Sequence, residues 1–240
     1  MKEYNIVADK KCNLSIIKMI ILAVAAGFFI ALAGFLSVKC SYMVNNISIN
    51  KILSSFFFSF GLILTVLMKS ELFTGNILLF ISLFNNKQKL NKILKNLIIV
   101  YIFNFIGALL FSILIYHSYN FDNNLIESFL SLANTKINID FYKLIILGIL
   151  CNILVCIAVF LASVANNTVE KILVIIIPVF IFVALGFEHS VANMFYFSLA
   201  KILNNSLSIK SILLNNLLPV TIGNIIGGLL VSLYIYIRDK

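Results

Sequence analysis

The sequence predicts an all-α membrane protein: six transmembrane helices in two inverted three-helix repeats, with spans 2 and 5 broken partway. Three observations predict it. Apolar residues make up 62% of the 240-residue chain and charged residues 11%, and the mean hydropathy is +1.08, which excludes a soluble domain. Two of the long apolar runs carry a cluster of polar side chains in mid-run. Those two clusters, and the segments downstream of them, resemble one another half a chain apart.

Residues 1–14 are a polar arm with Lys2, Lys10 and Lys11, of a composition that suits an interfacial helix. Residues 15–238 form one six-span domain. Span 1 covers about 15–38, with Lys18 just inside its start; its apolar stretch is too long for a signal-peptide core, and no small-residue cleavage site follows it. Span 2, the first broken one, covers 52–84. A basic loop with Lys87, Lys89, Lys92 and Lys95 leads to span 3 at about 97–117, which closes a first repeat at about 15–118. The longest polar connection, 120–140, comes next. Span 4 covers about 143–165, span 5 (the second broken one) 172–200, and span 6 about 211–237, so the second repeat is about 141–238.

The net charge of +9 is scattered singly through short loops, so nucleic acid is not an expected partner and the lysines report topology instead. Placing the N-terminus inside puts Lys2, Lys10, Lys11, Lys18, the loop lysines 87, 89, 92 and 95, Lys171, Arg238 and Lys240 on that side. The other side then holds Lys39, Lys51, Lys136, Lys143, Lys201 and Lys210. The inside excess predicts a multi-pass protein of the cell membrane with both termini cytoplasmic. Three spans per repeat is an odd number, so the repeats stand upside down to one another, and an inverted repeat with two midplane breaks is a pore architecture. Cys12, Cys40, Cys151 and Cys156 have neither disulfide-framework nor metal-site spacing, and no metal or other cofactor is expected.

The first break is Lys69-Ser70-Glu71-Leu72-Phe73-Thr74-Gly75-Asn76, and the second is Gly186-Phe187-Glu188-His189-Ser190-Val191-Ala192-Asn193-Met194. Glu71 precedes Asn76 by five residues, as Glu188 precedes Asn193. Downstream, Asn104-Phe105-Ile106-Gly107 resembles Asn224-Ile225-Ile226-Gly227. A charge at bilayer depth costs roughly 2.5–3.5 kcal/mol, so a run that carries charges usually lines a pore or a substrate site. The apolar pieces beside each break fall short of the ~20 residues of a full span, which implies half-helices meeting inside the membrane.

The second half-helices are expected to begin at about Gly75 and about Ser190. Their free N–H groups, each end worth roughly half a positive charge, favour an anion at the centre. Glu71 and Glu188, with Asn76 and Asn193, are read as supports of the broken helices, the carboxylates accepting hydrogen bonds from exposed backbone N–H groups. His189 is the histidine of the membrane interior and can exchange a proton at physiological pH, with Thr74 a candidate partner across the pore. A lone buried histidine can equally pack against a carbonyl and never titrate. Phe58, Leu62, Leu72, Phe73 and Phe182 are candidates for an apolar constriction, although the same side chains suit interhelical packing. Lys18 and Lys136, near the starts of spans 1 and 4, would stand one at each mouth and draw anions in, or simply snorkel.

These residues resemble the formate/nitrite transporter family. Ser70 to Asn76, Asn152-Ile153-Leu154-Val155-Cys156-Ile157-Ala158-Val159 and Gly186 to Met194 are similar to its three signatures, and Leu218 to Gly228 to its last span. The resemblance implies a channel rather than an enzyme. It also implies aquaporin-like protomers assembled as a homopentamer, each with its own pore for monovalent anions of weak acids such as formate, nitrite or hydrosulfide. By position, Thr74 matches the family's loop threonine, His189 its central histidine, Lys18 and Lys136 its vestibule lysines, and Asn152 and Asn193 its pore-region amides. Phe58, Leu62, Leu72, Phe73 and Phe182 match its constriction. The implied mechanism draws an anion to a lysine vestibule and desolvates it at the constriction, which raises its pKa. It passes as the neutral acid, with a proton from solvent or through His189, so flux rises as pH falls. The implied partners are these anions, protons and membrane lipid.

Within the family, a hydrosulfide channel is the alternative. Outside it stand two others. A neutral-solute pore shares the half-helix plan but carries paired Asn-Pro-Ala motifs, where this chain has Thr74-Gly75-Asn76 and Val191-Ala192-Asn193. A membrane-embedded enzyme would have to use Glu71, Glu188 and His189, with no nucleophile motif and no metal-ligand pair at helical spacing.

Overall fold

The computed structural model describes residues 2–205 and 207–240, the side chains of Lys2 and Glu3 excepted, so the Lys2 charge used in the topology lies outside the described side chains. Every regular element among the described residues is helical. The polar arm is helix α1, Lys2–Cys12, and is not free: Tyr4 and Ala8, one turn apart, are buried, and the Tyr4 ring rests 6.1 Å from Phe160. Ser15 caps α2 (Ile16–Ser41), and the Asn46 side chain caps α3 (Ile47–Leu67) by accepting from the N–H groups of Ser48 and Ile49.

After a non-helical stretch the chain resumes as α4 (Phe73–Asn76), a 3₁₀ turn (Ile77–Leu79) and α5 (Phe80–Phe84). Helix α6 follows at Leu90–Ser118. The connection expected to be a polar loop is a 15-residue helix, α7 (Asn123–Ile137), capped by Asp122. Its buried residues Leu125, Phe129 and Ala133 recur every four positions and form a narrow apolar stripe. Phe129 stacks on Phe35 of α2 with ring centroids 5.8 Å apart, which docks α7 on the bundle.

Helix α8 (Phe141–Val164) precedes α9 (Thr168–Ala184), and five residues separate the end of α9 from α10 (Ser190–Leu203). The last apolar segment starts as α11 (Ile209–Ile212), passes through a π turn at Leu213–Leu217, and continues as α12 (Leu218–Arg238). Among the described residues, five helical segments are long and apolar enough to cross a bilayer: α2, α3, α6, α8 and Ile209–Arg238. The broken segments add the shorter apolar helices Phe73–Phe84 and Ser190–Leu203.

Helix packing runs in two matching sets. α2 lies against α3 and α6, α8 lies against α9 and α12, and α3 meets α9 where the sets join. Both close pairs depend on missing side chains. A Cβ at Gly107 of α6 would sit 2.0 Å from the Val24 carbonyl oxygen of α2, and one at Gly227 of α12 would sit 2.3 Å from that of Ile149 of α8. Backbone-to-backbone approach of this kind is how membrane helices gain packing energy without a hydrophobic drive between them.

The first halves of the broken segments end alike. Lys69 (φ 53°) and Gly186 (φ 70°) take up left-handed backbone just past α3 and α9. Ser70 N–H then reaches back to the Thr65 carbonyl at 2.9 Å, and Phe187 N–H to that of Phe182 at 2.9 Å. Lysine in this conformation costs about 1 kcal/mol relative to glycine. Lys69→Gly is therefore expected to raise the thermal midpoint in detergent and Gly186→Ala to lower it. A Cβ at Gly186 meets nothing within 4 Å, so the cost there would be backbone alone. Unchanged midpoints in both variants would refute this account.

Candidate functional site

Each break is held by an asparagine from a neighbouring helix. Asn104 of α6 accepts from Phe73 N–H at 2.9 Å and donates to the carbonyls of Ala23 (2.8 Å) and Glu71 (2.9 Å). Asn224 of α12 accepts from Ser190 N–H at 2.9 Å and donates to the carbonyls of Gly148 and Glu188, each at 2.9 Å. A half-helix starting inside the protein presents N–H groups that no water reaches, and these amides take the first of them. The first half-helix consequently begins at Phe73 rather than at Gly75, and the second at Ser190 as expected.

The glutamates do a different task from the backbone capping expected of them. Glu71 accepts from Asn76 Nδ2 at 2.6 Å and pairs with Lys11 Nζ at 3.1 Å; Glu188 accepts from Asn193 Nδ2 at 2.6 Å and pairs with Lys136 Nζ at 2.7 Å. Both carboxylates are buried, and a buried carboxylate requires a cation and hydrogen bonds rather than one backbone donor. Asn96 and Asn216 extend the two sets. Asn96 accepts from Asn76 Nδ2 at 2.8 Å and donates to the Lys11 carbonyl at 3.4 Å; Asn216 accepts from Asn193 Nδ2 at 2.7 Å and donates to the Lys136 carbonyl at 2.9 Å. Asn216 lies within the π turn, a common device for aiming a side chain at a site. Asn96, Asn104, Asn216 and Asn224 carry these networks, yet none was a predicted site residue. Extending the internal match upstream of Asn104 and Asn224 pairs Asn96 with Asn216 at the same spacing.

These pairs add a third lysine to the two singled out in the sequence. Lys11, from α1, is the geometric counterpart of Lys136, whereas Lys18 makes no ion pair among the described residues and lies exposed on the cavity wall. The cause is that α1 folds back onto the protein and carries Lys11 to Glu71, as α7 carries Lys136 to Glu188. Lys136 accordingly belongs to the last turn of α7 and not to the start of the following apolar helix.

Between the two networks, Thr74 Oγ1 and His189 Nε2 are 2.9 Å apart, both residues buried. His189 Nδ1 accepts from Ala192 N–H at 3.1 Å. A ring nitrogen that accepts carries no proton, so in neutral His189 the proton sits on Nε2 and is donated to Thr74. The Thr74 hydroxyl hydrogen is thereby left free to point elsewhere. The Thr74 carbonyl accepts from Asn152 Nδ2 at 3.2 Å and Cys156 Sγ at 3.5 Å, and Asn152 Nδ2 also bonds the Asn224 carbonyl at 2.6 Å. Asn152 thus ties the threonine to the anchor of the opposite break.

Two cavities approach this pair from opposite ends of α2 and α3. One, of about 940 Å³, is lined by Ser37, Asn50, Phe58, Lys136, Phe182 and His189 among others; the other, of about 630 Å³, by Lys11, Lys18, Leu62, Lys69, Leu72 and Gly75 among others. Phe182 stacks on the His189 ring at 6.0 Å and meets Phe58 edge-on at 5.8 Å. The expected constriction residues therefore divide into Phe58 with Phe182 on one side and Leu62 with Leu72 on the other. Phe73 lines neither cavity and packs edge-on against Tyr101 of α6 at 4.8 Å. Among the described residues no group of three His, Cys, Asp or Glu side chains could hold a metal ion.

A family model described as "Formate/nitrite transporter" matches residues 1–238. The chain belongs to the formate/nitrite transporter family. It is 32% identical to "Formate channel FocA" of Escherichia coli (strain K12), over 93% of this chain and 88% of that protein. It is 35% identical to "Uncharacterized transporter YrhG" of Bacillus subtilis (strain 168), over 91% of this chain and 84% of that protein. A solved structure, "Pentameric formate channel with formate bound", matches with a TM-score of 0.81 at 27% identity, covering 93% of this chain and 97% of that one. Formate/nitrite transporter membership makes the protein a multi-pass membrane transporter and not an enzyme.

Proposed function

We propose that the protein is a channel for small monovalent anions of weak acids, formate first, with nitrite or hydrosulfide as alternatives, and that it couples their passage to a proton. The observation that carries this reading is the Thr74–His189 pair held between two cavities, each floored by apolar side chains and flanked by a lysine. An anion attracted by the lysines meets Phe58 and Phe182, or Leu62 and Leu72, where loss of water raises its pKa and favours the neutral acid. The Thr74 hydroxyl, accepting from His189 Nε2, has its own hydrogen free to donate to the passing oxygen, while Asn152 fixes the threonine backbone. The buried Lys–Glu–Asn sets hold both half-helix N-termini in place, and those ends favour developing or resident negative charge.

Six spans in two inverted repeats, both termini cytoplasmic in the cell membrane, and assembly as a homopentamer complete the proposal. The paired hydrogen-bond sets around Asn104 and Asn224, and around Lys11 and Lys136, support the repeat. The lysine bias supports the sidedness, and likeness to a pentameric formate channel supports the assembly.

The test is initial flux into proteoliposomes for formate, nitrite, hydrosulfide and glycerol at several pH values. Anion flux that rises steadily from about pH 8 to about pH 5, while glycerol stays excluded, is the expected result. Substitution His189→Asn, which keeps a donor toward Thr74, is expected to retain part of the flux and flatten its pH profile. A flux independent of pH in both proteins would refute proton coupling, and glycerol outrunning every anion would refute the anion reading.

A further inference from the structure

The two cavities differ sharply in charge. The smaller, at the α1 end, is lined by Lys10, Lys11, Lys18, Lys69 and Lys171 against the single carboxylate of Glu71. Glu71 is already paired with Lys11, and the other four lysines make no ion pair among the described residues. Glu170, beside Lys171, is engaged instead by Asn166 N–H (2.8 Å) and the Asn167 side chain (2.7 Å). The larger cavity, at the α7 end, has Lys136 and Glu127 as its charged lining, and Lys136 is bound to buried Glu188.

We infer that the two vestibules load unequally: the α1-side cavity concentrates small anions before they reach the pore far more than the α7-side cavity does. Unlike charges spread along a wall, four free ammonium groups around one apolar-floored cavity act on the same volume, and low-dielectric walls focus their field there. Taking each lysine at about 10 Å from the cavity centre, the group is worth about tenfold in local anion concentration near 10 mM salt, and about threefold or less near 0.1 M. This deepens the anion-channel reading and rests on it for its transport consequence. In a passive pore the initial slope of flux against concentration must be equal in both directions. The asymmetry therefore shows at higher concentration, as a lower half-saturating concentration and a lower maximum for entry from the α1 side.

The local potential can be read without any transport. With Cys12 and Cys40 replaced by serine and the fully buried Cys151 and Cys156 left in place, one accessible cysteine is introduced in the α1-side cavity by Ser163→Cys or in the α7-side cavity by Ser131→Cys. Each is treated with a sulfonate-bearing thiol reagent and a neutral one of like size. The ratio of anionic to neutral reaction rates is expected to be about tenfold higher at position 163 in about 10 mM salt, with the difference mostly gone in about 0.5 M salt. Lys10→Gln with Lys18→Gln and Lys171→Gln should lower the ratio at 163 alone, and Glu127→Gln should raise it at 131 alone. Equal ratios at the two positions in low salt overturn the inference. Formate flux from each side of oriented vesicles is the second measurement. Equal half-saturating concentrations there would also overturn it, whereas absence of anion flux would strike the channel reading and leave the labelling ratio to decide this one.

Discussion

Asn104→Leu is expected to lower stability by about 3–5 kcal/mol and to abolish flux. Leucine has the same branching and number of heavy atoms, so most of the cost lies in the groups left behind. Phe73 N–H and the Glu71 carbonyl would stand unpartnered in a buried break at about 1–3 kcal/mol each, and the Ala23 carbonyl would lose one of its bonds. Asn104→Asp separates the parts, because it keeps an acceptor for Phe73 N–H and removes both donors. Since α4 begins at Phe73, a displaced start moves Thr74 off the 2.9 Å contact with His189, so flux should fail even in detergent preparations that remain folded. Thermal midpoint and proteoliposome flux measured on the same sample check this. A midpoint like that of the parent would mean that the break is held by packing and not by this amide.

The second large effect is expected from Lys136→Met. Removing one partner of a buried ion pair costs about 3–5 kcal/mol because the other charge is stranded, here on Glu188. The double substitution Lys136→Met with Glu188→Gln should recover most of that loss, since Asn193 Nδ2 can still donate to a neutral amide oxygen. Lys11→Met should be milder: the Lys11 side chain is 23% exposed and that of Lys136 is 12%, so water can reach the position that Lys11 vacates. A thermal double-mutant cycle measures each coupling. Equal, small losses at both lysines would show that the pairs are solvated and contribute little.

The breaks were legible in the sequence because a glutamate or an asparagine in an apolar run has few reasons to be there, and Glu71, Asn76, Glu188 and Asn193 do converge on shared partners. Thr74 stood only as a candidate partner of His189, each lying in one break, and the two side chains meet at 2.9 Å. What failed to show was the pairing of residues far apart along the chain. Nothing in the local sequence marks Lys11 rather than Lys18 as the partner of Glu71, because the choice is made by α1 turning back to bury Tyr4. Helix α7 passed for a loop because its apolar stripe is only three residues wide amid polar ones, although Asp122 ahead of it was a helix-start signal. The glutamates were given backbone donors because carboxylates often cap helices, whereas the protein spends asparagines on that task and reserves the charges for each other.

The docking of α1 carries a consequence for biosynthesis. Tyr4 rests on Phe160, and the lysine that neutralises Glu71 arrives with that same helix. Those contacts require a surface that the ribosome makes about 150 residues after Tyr4. Helix α1, made before the other described helices, is therefore seated after most of them, and until it is, Glu71 waits in the bilayer without its cation. Order of translation and order of assembly run in opposite directions at this end of the molecule.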